Sequence, residues 1–587
     1  MKGFYGRVLV CDLGSRTCSV ADVGDQVLAR ALGGKGLGTH LLANHSLVGV
    51  DPLSPENPVI FAAGPATDTK IPGSCRYGVF TKSPQTGLYS ESYSGGKLAE
   101  KLSRTGFDAV VLTGAADGPV YLEVGEDGGR VHGAEDLWGL ETYPAEDALL
   151  ARHGGPGRAG AAVIGPAGER RVPFAIIAND YWRCAGRTGA GAVLGAKNVK
   201  GVVFHGAARR PAADPGGIEA LARRMLAEKK DHPATQAYRN FGTPMMVALL
   251  NTVQAFPHRY WHKGRMPDYE RISAEAMAAR CEVRPKACPR CFMACGKLTT
   301  VTEGRHAGLK LEGPEYETIY ALGGLCCIDS LEEIVYLNDL CDRLGMDTIS
   351  AGNLVAFAME ASSLGAIPEK VAYGDAAAAE RLLRDIAARR GLGEVLSRGI
   401  APASREWKLE EVAIHVKGLE PAGYDPRVLK GMGLAYATSD RGACHLRSTF
   451  YKPELSGQIP PDAVEGKAAL FVDYEDRLNL FDGLILCRFF RDFYPWEGLG
   501  EVILLTTGMD LGQEGLRAVA GTIADQARRF NLREGLTPAD DWLPSRFFDE
   551  PLPETGAVLR RGELEKMRSE YYALRGWDDQ GRPGGPG

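Results

Sequence analysis

Three cysteines at CxxCxxxC spacing constrain this chain more than any other feature. Cys288, Cys291 and Cys295 lie between residues 287 and 296. Thiolates at these positions can bind three corners of an iron–sulfur cube, because such iron prefers sulfur ligands. A fourth ligand must come from elsewhere, and Cys487 is the best candidate. A zinc site, in which Cys288 and Cys291 pair with two other thiols, is the alternative interpretation.

Length, charge and cysteine content narrow the function classes. The 587 residues are enough for two to four domains, and the net charge of −6 gives no electrostatic footprint for nucleic acid. The first residues lack an apolar signal core, and no apolar run is long enough to span a bilayer. The triplet needs thiolates, which favours a reducing compartment. We therefore expect a cytoplasmic protein with no nucleic acid partner and no membrane insertion.

The distribution of strand and helix signals predicts an α+β multidomain fold. Residues 1–210 are β-rich, residues 211–415 are mostly helical, and we place a second boundary near 416, giving a third, mostly helical domain over 416–587. The segments 7–13 and 17–23 are typical of a hairpin. Further strands are predicted at 59–63, 77–80, 109–112, 120–124, 161–164 and 202–204.

Helix termini are marked clearly in the second half. Asp214 precedes Pro215 as a cap and first-turn pair, and Ser330 with Glu333 predicts a capping box for a helix that ends at Gly345. Further helices are predicted over 348–364 and 376–390. The glycine-rich tail, residues 581–587, is predicted to be disordered.

Glycine clusters and paired hexapeptides indicate a flat, phosphate-bearing cofactor. Clusters at 33–38, 94–97 and 187–195 allow the backbone to approach a ligand closely, although plain tight turns would give the same pattern. A nucleotide-binding Rossmann site is disfavoured, because no acidic residue follows the strand at 202–204. Asp342–Asp347 and Asp482–Cys487 are similar hexapeptides near predicted helix ends, and carboxylates there can accept paired N–H bonds from a pterin ring.

Together these motifs resemble the aldehyde:ferredoxin oxidoreductase family over nearly the whole chain. The resemblance implies tungsten, or sometimes molybdenum, on two pterin dithiolenes beside one [4Fe-4S] cluster, with magnesium between the pterin phosphates. It also implies that the β domain forms a base for the cofactor and that two helical domains close over it. The matching segments are 33–36, 64–67, 83–87, 186–193, the cysteine triplet, 312–318, 342–347 and 436–446.

The resemblance also implies roles for individual residues. The cluster ligands would be Cys288, Cys291, Cys295 and Cys487, with Arg76 between cluster and pterin; Gly95, Gly96, Arg183 and Arg187 would line the phosphates; Asp342, Asp347 and Asp482 would hold the pterins; and Arg447 would lie near the cofactor. Arginine suits these places because its planar fork binds phosphate bidentately. Glu312 best matches the acid near the metal, with Glu315 next, and His445 is the matching histidine.

The implied reaction is oxidation of an aldehyde to a carboxylic acid. His445 would hydrogen-bond the carbonyl oxygen, and Glu312, with a pKa raised by burial, would remove a proton from the attacking water. Electrons would leave singly to ferredoxin or a small iron–sulfur subunit. The sequence does not choose between tungsten and molybdenum, and it leaves the oligomeric state open.

Three departures from the family pattern stand out. Ile485 occupies a position that normally has glycine, which puts close pterin approach there in doubt, and Tyr93 replaces an asparagine whose carbonyl helps to hold magnesium. No histidine occurs between His306 and His415, so we expect the subunit-bridging iron site of some dimeric members to be absent.

The sequence is also compatible with two functions other than aldehyde oxidation. The segment 256–263 carries His258, Tyr260 and His262, which could shape an unusual substrate pocket. Relatives that reduce benzoyl-CoA are thought to protonate substrate through histidines, so reduction of an aryl- or enoyl-CoA thioester is the alternative. A non-catalytic electron-transfer or cofactor-carrying subunit is a third possibility, which the retention of Glu312 and His445 argues against.

Overall fold

The computed structural model of the chain describes residues 1–585 and begins with two six-stranded mixed sheets. The first has the order β2-β1-β6-β3-β4-β5 and the second the order β11-β10-β9-β12-β7-β8. Strands β1 and β6 are parallel, as are β7 and β12, and the other pairings are antiparallel. The strands of the two sheets are β1 Arg7–Asp12, β2 Thr17–Asp22, β3 Val59–Ala62, β4 Tyr77–Lys82, β5 Tyr89–Ser94, β6 Ala109–Thr113, β7 Val120–Gly125, β8 Gly128–Gly133, β9 Ala159–Val163, β10 Ile177–Asn179, β11 Arg183–Ala185 and β12 Val199–His205.

The two sheets pack face to face, because the central strands are apolar on both sides. Leu9 and Val110 of the first sheet share a core with Leu122 and Val202 of the second. Alternate residues such as Val8 face the opposite way and are covered by helices, as the period-two side-chain pattern of a strand requires. The helices in this part of the chain are α1 Asp25–Ala31, α2 Gly34–His45, α3 Leu98–Ser103, α4 Thr142–Arg152, α5 Pro166–Glu169 and α6 Ala190–Ala196.

The rest of the chain is mostly helical, with one small antiparallel sheet. That sheet comprises β13 Cys281–Lys286, β14 Gly296–Val301 and β15 Lys310–Glu312, and the cysteine triplet lies in the connection between β13 and β14. The helices are α7 Pro215–Lys229, α8 Pro233–Phe241, α9 Met246–Thr252, α10 Ala274–Arg280, α11 Tyr316–Thr318, α12 Leu331–Leu344, α13 Thr348–Ser363, α14 Ala376–Ala388, α15 Leu392–Leu396, α16 Ile400–Trp407, α17 Lys430–Thr438, α18 Tyr451–Leu455, α19 Lys467–Leu484, α20 Trp496–Thr507, α21 Gln513–Arg533, α22 Arg546–Asp549 and α23 Arg561–Leu574. A π-helix, Ile319–Leu325, continues α11.

Helix α13 lies inside the largest core of the molecule. Almost all of its residues are buried, among them Leu354 and Phe357, which is the pattern of a helix surrounded by other elements. Its N-terminus is capped by Asp347, whose carboxylate accepts a hydrogen bond from Ser350 N at 3.0 Å. Burial therefore fixes the position of a predicted pterin-binding carboxylate.

The predicted fold class is confirmed, and several local predictions hold with it. The first hairpin forms, Asp214 caps α7, and Ser330 caps α12, which ends at the left-handed Gly345. Glu333 turns to Arg305 instead of closing the capping box. Among residues 1–585, no helix combines the length and apolarity needed to cross a bilayer. The domain boundaries at 210 and 416 stay predictions.

Two features of the chain differ from expectation. The tail is ordered as far as the structure describes it: Arg528 Nε donates to Gly581 O at 2.8 Å, and Trp577 bridges to Pro583. Residues 586–587 of the predicted disordered segment lie outside the described residues. The first hairpin also carries a disulfide between Cys11 and Cys18, which face each other across β1 and β2.

Candidate active site

The structure brings the four predicted cluster cysteines together. Cys487, which follows α19, is held to the N-terminal domain because its N–H donates to Gly73 O at 2.9 Å. A Cβ placed on Gly95 would lie 3.3 Å from Cys288 Sγ, so glycine leaves room for the thiol. Burial and the charge of Cys487 raise the pKa of Cys291 to about 12, and the same two causes raise the pKa of Cys295 well above its ordinary value. The thiols therefore lie near enough to influence one another electrostatically.

A fifth cysteine, Cys75, joins this centre. Its thiol hydrogen-bonds Cys288 and lowers the pKa of that thiol to about 5, an effect to which Arg183 also contributes. Cys75 directly precedes Arg76, whose pKa would be lowered by burial but is raised by Cys487 and Cys75. The sequence offered no signal for Cys75, because it is far from the triplet and belongs to no cysteine motif.

Glu312 lies beside the cysteine centre and not beside His445. Its carboxylate forms an ion pair with Arg183 and lies 3.3 Å from Lys286 Nζ, and burial raises its pKa although Arg183 opposes the shift. Glu312 and Cys288 both line a cavity of about 530 Å³. The other main lining residues are Gly96, Glu146, Tyr181 and Trp182. The geometry therefore gives Glu312 no contact with the predicted histidine.

The carboxylate that meets His445 is Glu317. Glu317 Oε1 lies 3.4 Å from His445 Nε2, and its other oxygen accepts a hydrogen bond from Gly423 N at 3.0 Å. Burial raises the pKa of Glu317 to about 8. Burial, together with Arg187 and Arg441, lowers the pKa of His445 well below its ordinary value. The pair therefore consists of a neutral imidazole and a carboxyl group that titrates near neutral pH.

Glu317 lies within the matching segment 312–318, but the sequence favoured Glu312 as the acid near the metal. Glu312 ends β15, whereas Glu317 belongs to α11, and the turn at 313–315 sends the two side chains to different places. Glu315, the second choice, instead accepts a hydrogen bond from Thr243 Oγ1. Three acids within six residues cannot be told apart by residue type alone.

A buried cationic cluster, which we define as Lys35, Arg441, Arg447 and Arg488, lies on the other side of the site. Lys35 Nζ is 3.1 Å from Glu91 Oε1, Arg447 is 3.3 Å from Asp482, and Arg488 also pairs with Asp482. Arg441 Nη1 donates to Glu91 O at 2.6 Å. Asp482 and Arg447, both predicted from the sequence, are therefore in direct contact.

Unpartnered buried atoms show what this cluster lacks. Within the described residues, three nitrogens of the cluster lack a hydrogen-bond partner: Nε and Nη2 of Arg447 and Nε of Arg488. Nε of Arg491, which is outside the cluster, also lacks one. A buried guanidinium without acceptors is costly, and phosphate oxygens are the acceptors its planar fork suits best. The residues present therefore fit a phosphate-bearing cofactor such as a pterin dithiolene.

Arg187 joins the first hexapeptide to the region of His445. Its Nε lies 3.5 Å from Asp347 Oδ2, and its Nη1 donates to Ala443 O at 2.8 Å. Asp342, at the end of α12, accepts a hydrogen bond from Asn338 at 2.8 Å, and burial raises its pKa well above the ordinary range. A neutral Asp342 carboxyl could donate as well as accept, which widens the set of pterin edges it could bind.

The glycines and arginines predicted to line the phosphates divide between two places. Gly95 lies against Cys288, and Gly96, at φ +92°, lies against Asp180, so both are at the cysteine centre. Arg183 is there too, through Glu312, whereas only Arg187 lies beside Asp347 and the region of His445.

Both hexapeptides end a helix in the same backbone conformation. Gly345 has φ 80° and ψ 47°, and Ile485 has φ 61° and ψ 46°, both left-handed. A β-branched residue rarely adopts this conformation. The Ile485 side chain is buried against Gly34 of the first glycine cluster. Its packing there explains how the chain accommodates a residue other than glycine.

The tentative substrate-pocket residues are not at this site. His258 is buried against Gly324 O at 3.0 Å, Tyr260 OH accepts a hydrogen bond from Ile414 N, and His262 pairs with Glu360 at 2.7 Å. In the part of the chain that the structure describes, none of the three forms a hydrogen bond or ion pair with Glu317 or His445. The substrate-pocket role of these residues stays a prediction, and in the structure the loop packs into the core of the helical region.

Cys444 is a third residue, after Cys75 and Glu317, that the sequence did not indicate. It is fully buried and accepts hydrogen bonds from Arg441 at 3.0 and 3.3 Å and from Leu446 N at 3.3 Å. Burial would raise the pKa of this thiol, but Arg441 and the neighbouring arginines lower it to about 7. A partly ionised thiol therefore lies next to His445.

Comparisons with known proteins agree with this arrangement. Residues 8–206 match the N-terminal domain of aldehyde ferredoxin oxidoreductase, and residues 220–585 match its domains 2 and 3. The chain is 35% identical to the tungsten-containing aldehyde ferredoxin oxidoreductase of Pyrococcus furiosus, over 99% of this chain and 98% of that protein. It is 34% identical, over the same shares, to the protein of that name from Thermococcus kodakarensis.

More distant similarities extend the comparison. An aliphatic sulfonate oxidoreductase WOR-like subunit of Pyrococcus furiosus is 27% identical over 99% of this chain and 96% of its own length. The active site complex BamBC of benzoyl coenzyme A reductase, solved with 1,5-dienoyl-CoA, has a TM-score of 0.83 and 23% identity, covering 99% of this chain and 96% of that one. This last likeness concerns the fold alone. The full-length identities and both domain matches show that the chain is an oxidoreductase belonging to the aldehyde ferredoxin oxidoreductase family.

Proposed function

We propose that this protein oxidises an aldehyde to the carboxylic acid and passes the two electrons, one at a time, through a [4Fe-4S] cluster to ferredoxin or a small iron–sulfur subunit. The proposal places a tungsten or molybdenum bis-pterin cofactor, with magnesium between its phosphates, among Asp342, Asp347, Asp482 and the cationic cluster. The observation that carries it is the contact between His445, which is buried, and Glu317, whose side chain is 16% exposed.

The residues would act on the substrate as follows. An aldehyde and water give the acid, two protons and two electrons. Neutral His445 donates an N–H bond to the carbonyl oxygen, which requires the proton on the nitrogen that faces the substrate. Glu317 accepts a proton from the attacking water, because a carboxylate with a pKa of about 8 is a stronger base than an ordinary one. When bound, the metal and the cluster supply a two-electron acceptor and a one-electron relay.

We also assign the charged groups around the cysteines to electron transfer. Arg76 and Arg183 lie among the thiols. Their positive charges balance buried thiolate charge that would otherwise be uncompensated. Glu312 holds Arg183 in this position. We therefore assign Glu312 to orientation of Arg183 and not to proton transfer.

Reduction of an acyl-CoA is the less well supported alternative. It depended on His258 and His262 as proton donors, and both are engaged elsewhere, with Gly324 and Glu360. The similarity to a benzoyl coenzyme A reductase complex adds only a shared fold.

Metal analysis of anaerobically purified protein, followed by assays, tests the proposal. About four irons per chain, together with tungsten or molybdenum, are expected for a cubane cluster and the family cofactor. Reduction of a viologen dye by aldehydes, but not by aryl-CoA esters or their reduced products, is the expected activity. Zinc alone, after growth with tungstate, would contradict the proposal.

A further inference from the structure

Three of the eleven histidines of this chain meet at one carboxylate. His205 Nε2 lies 2.9 Å from Glu123 Oε1, and His153 Nδ1 lies 3.6 Å from the same oxygen. His132 Nε2 lies 2.7 Å from the other oxygen, Oε2. We name these four residues the histidine cluster. None of them belongs to a motif of the resemblance or to the proposed reaction.

Strand register explains why the side chains converge. Tyr121 and Glu123 point to the same face of β7, His132 of β8 pairs with Tyr121, and Val203 of β12 pairs with Glu123. His205 is two residues beyond Val203 and therefore on that face as well. Helix α4 packs against this face, and His153 directly follows its last residue.

The ligand atoms are already spaced for one small cation. One atom from each of Glu123, His153 and His205 lies within 4.8 Å of the others. Zinc binds imidazole nitrogen at about 2.0–2.1 Å and carboxylate oxygen at about 2.0–2.2 Å, so small side-chain rotations would close the site. Gly125 leaves room for this, because a Cβ there would lie 2.8 Å from His205 Cε1.

We propose that Glu123, His153 and His205 bind a divalent transition-metal ion of the zinc class, with His132 orienting Glu123 through its second oxygen. Imidazole and carboxylate ligands suit such ions, and an outer hydrogen bond to a ligand is the usual way of fixing it. The fourth position faces solvent, where His132 and His205 are 38% and 36% exposed.

Surrounding charge favours this reading. Arg152, the nearest cation in sequence to His153, is turned onto the Tyr121 ring and paired with Asp136.

The site would tie three separate elements together. Glu123 belongs to β7, His205 ends β12, and His153 follows α4. Binding to the folded state alone stabilises that state, so zinc should raise the thermal midpoint of the protein. This effect needs no substrate and does not depend on the proposed function.

Zinc titration of the anaerobically purified holoenzyme tests the inference. The protein is first dialysed against a chelator, its iron and group-six metal are checked, and zinc chloride alone is then added against a chromophoric competitor. One zinc per chain is expected to bind. His205→Asn and His153→Gln should each abolish stoichiometric binding, and His132→Asn should weaken it about 10–100-fold, the usual effect of losing an outer partner.

His306→Asn is the matched control. His306 also pairs with a carboxylate, Glu333 at 3.2 Å, but it has no second imidazole, so zinc binding should be unchanged in this variant. Circular dichroism and iron content confirm that each variant is folded. Zinc K-edge absorption locates the ion, because zinc–nitrogen and zinc–oxygen distances of about 2.0–2.2 Å differ from about 2.3 Å for zinc–sulfur. Binding that survives His205→Asn, or a zinc–sulfur shell, would overturn the inference.

Discussion

Replacement of Glu317 by glutamine should remove both the reaction and its dependence on pH. With a pKa of about 8, the carboxyl group is about 1% ionised at pH 6, about 9% at pH 7 and about 50% at pH 8. The base form is present above the pKa and is lost as pH falls through it. The kcat/KM for an aldehyde should therefore rise about fiftyfold from pH 6 to pH 8 and level off above pH 9.

The assay is dye-coupled aldehyde oxidation over pH 5.5–9.5 with wild type, Glu317→Gln and Glu312→Gln. Loss of a positioned base costs about 10²–10⁴-fold in rate, so Glu317→Gln should fall by that factor and lose the rise with pH. Glu312→Gln should keep the midpoint near 8, because Glu312 pairs with Arg183 and does not touch His445. A wild-type midpoint near 4.5, or a rise with pH that disappears only in Glu312→Gln, would refute the assignment.

Four other variants test separate parts of the site. Cys487→Ala should lower the iron content of the purified protein. Cys75→Ala should retain the iron, because the four predicted cluster ligands are still present; the reverse result would make Cys75 the fourth ligand in place of Cys487. Ile485→Gly should lower the thermal midpoint, since loss of a buried isoleucine costs about 2–5 kcal/mol and relief of the left-handed strain returns only about 1–2 kcal/mol; a raised midpoint would contradict this. Arg447→Met should leave the buried charge of Asp482 only partly balanced and should reduce the amount of bound tungsten or molybdenum, measured by mass spectrometry. Full retention of that metal would argue against a role of Arg447 in cofactor binding.

Local rules were sufficient to predict much of the fold. Asp214, Ser330 and Gly345 mark helix ends through short-range backbone chemistry, and the continuous apolar run of β1 is typical of a strand covered on both faces. The tail was misjudged because its composition shows few apolar residues, whereas its order comes from contacts with Arg528, which is distant in sequence, and with Trp577.

The predictions about the site came from residue spacing and from the family resemblance. Three closely spaced cysteines indicate a metal site, and the resemblance gave Asp482 and Arg447, whose direct contact appears only in the fold. Cys75 and Cys444 were not predictable, because their thiols acquire a role only from Cys288 and Arg441, which reach them through the fold. His258 and His262, which the sequence assigns tentatively to a substrate pocket, instead contact Gly324 O and Glu360, and these contacts depend on the fold.

The difference between Glu312 and Glu317 is electrostatic as much as geometric. Both carboxyl groups are buried, and burial raises the pKa of each. Arg183 and Lys286 oppose that effect at Glu312, whereas Glu317 faces a neutral imidazole and is opposed chiefly by one backbone N–H and the charge of Arg187. Cations in direct contact make a carboxylate a weaker base than a peptide N–H and a more distant charge do. Proton abstraction therefore belongs with Glu317, and the charge-balanced Glu312 suits a site that must hold thiolates and arginines in place.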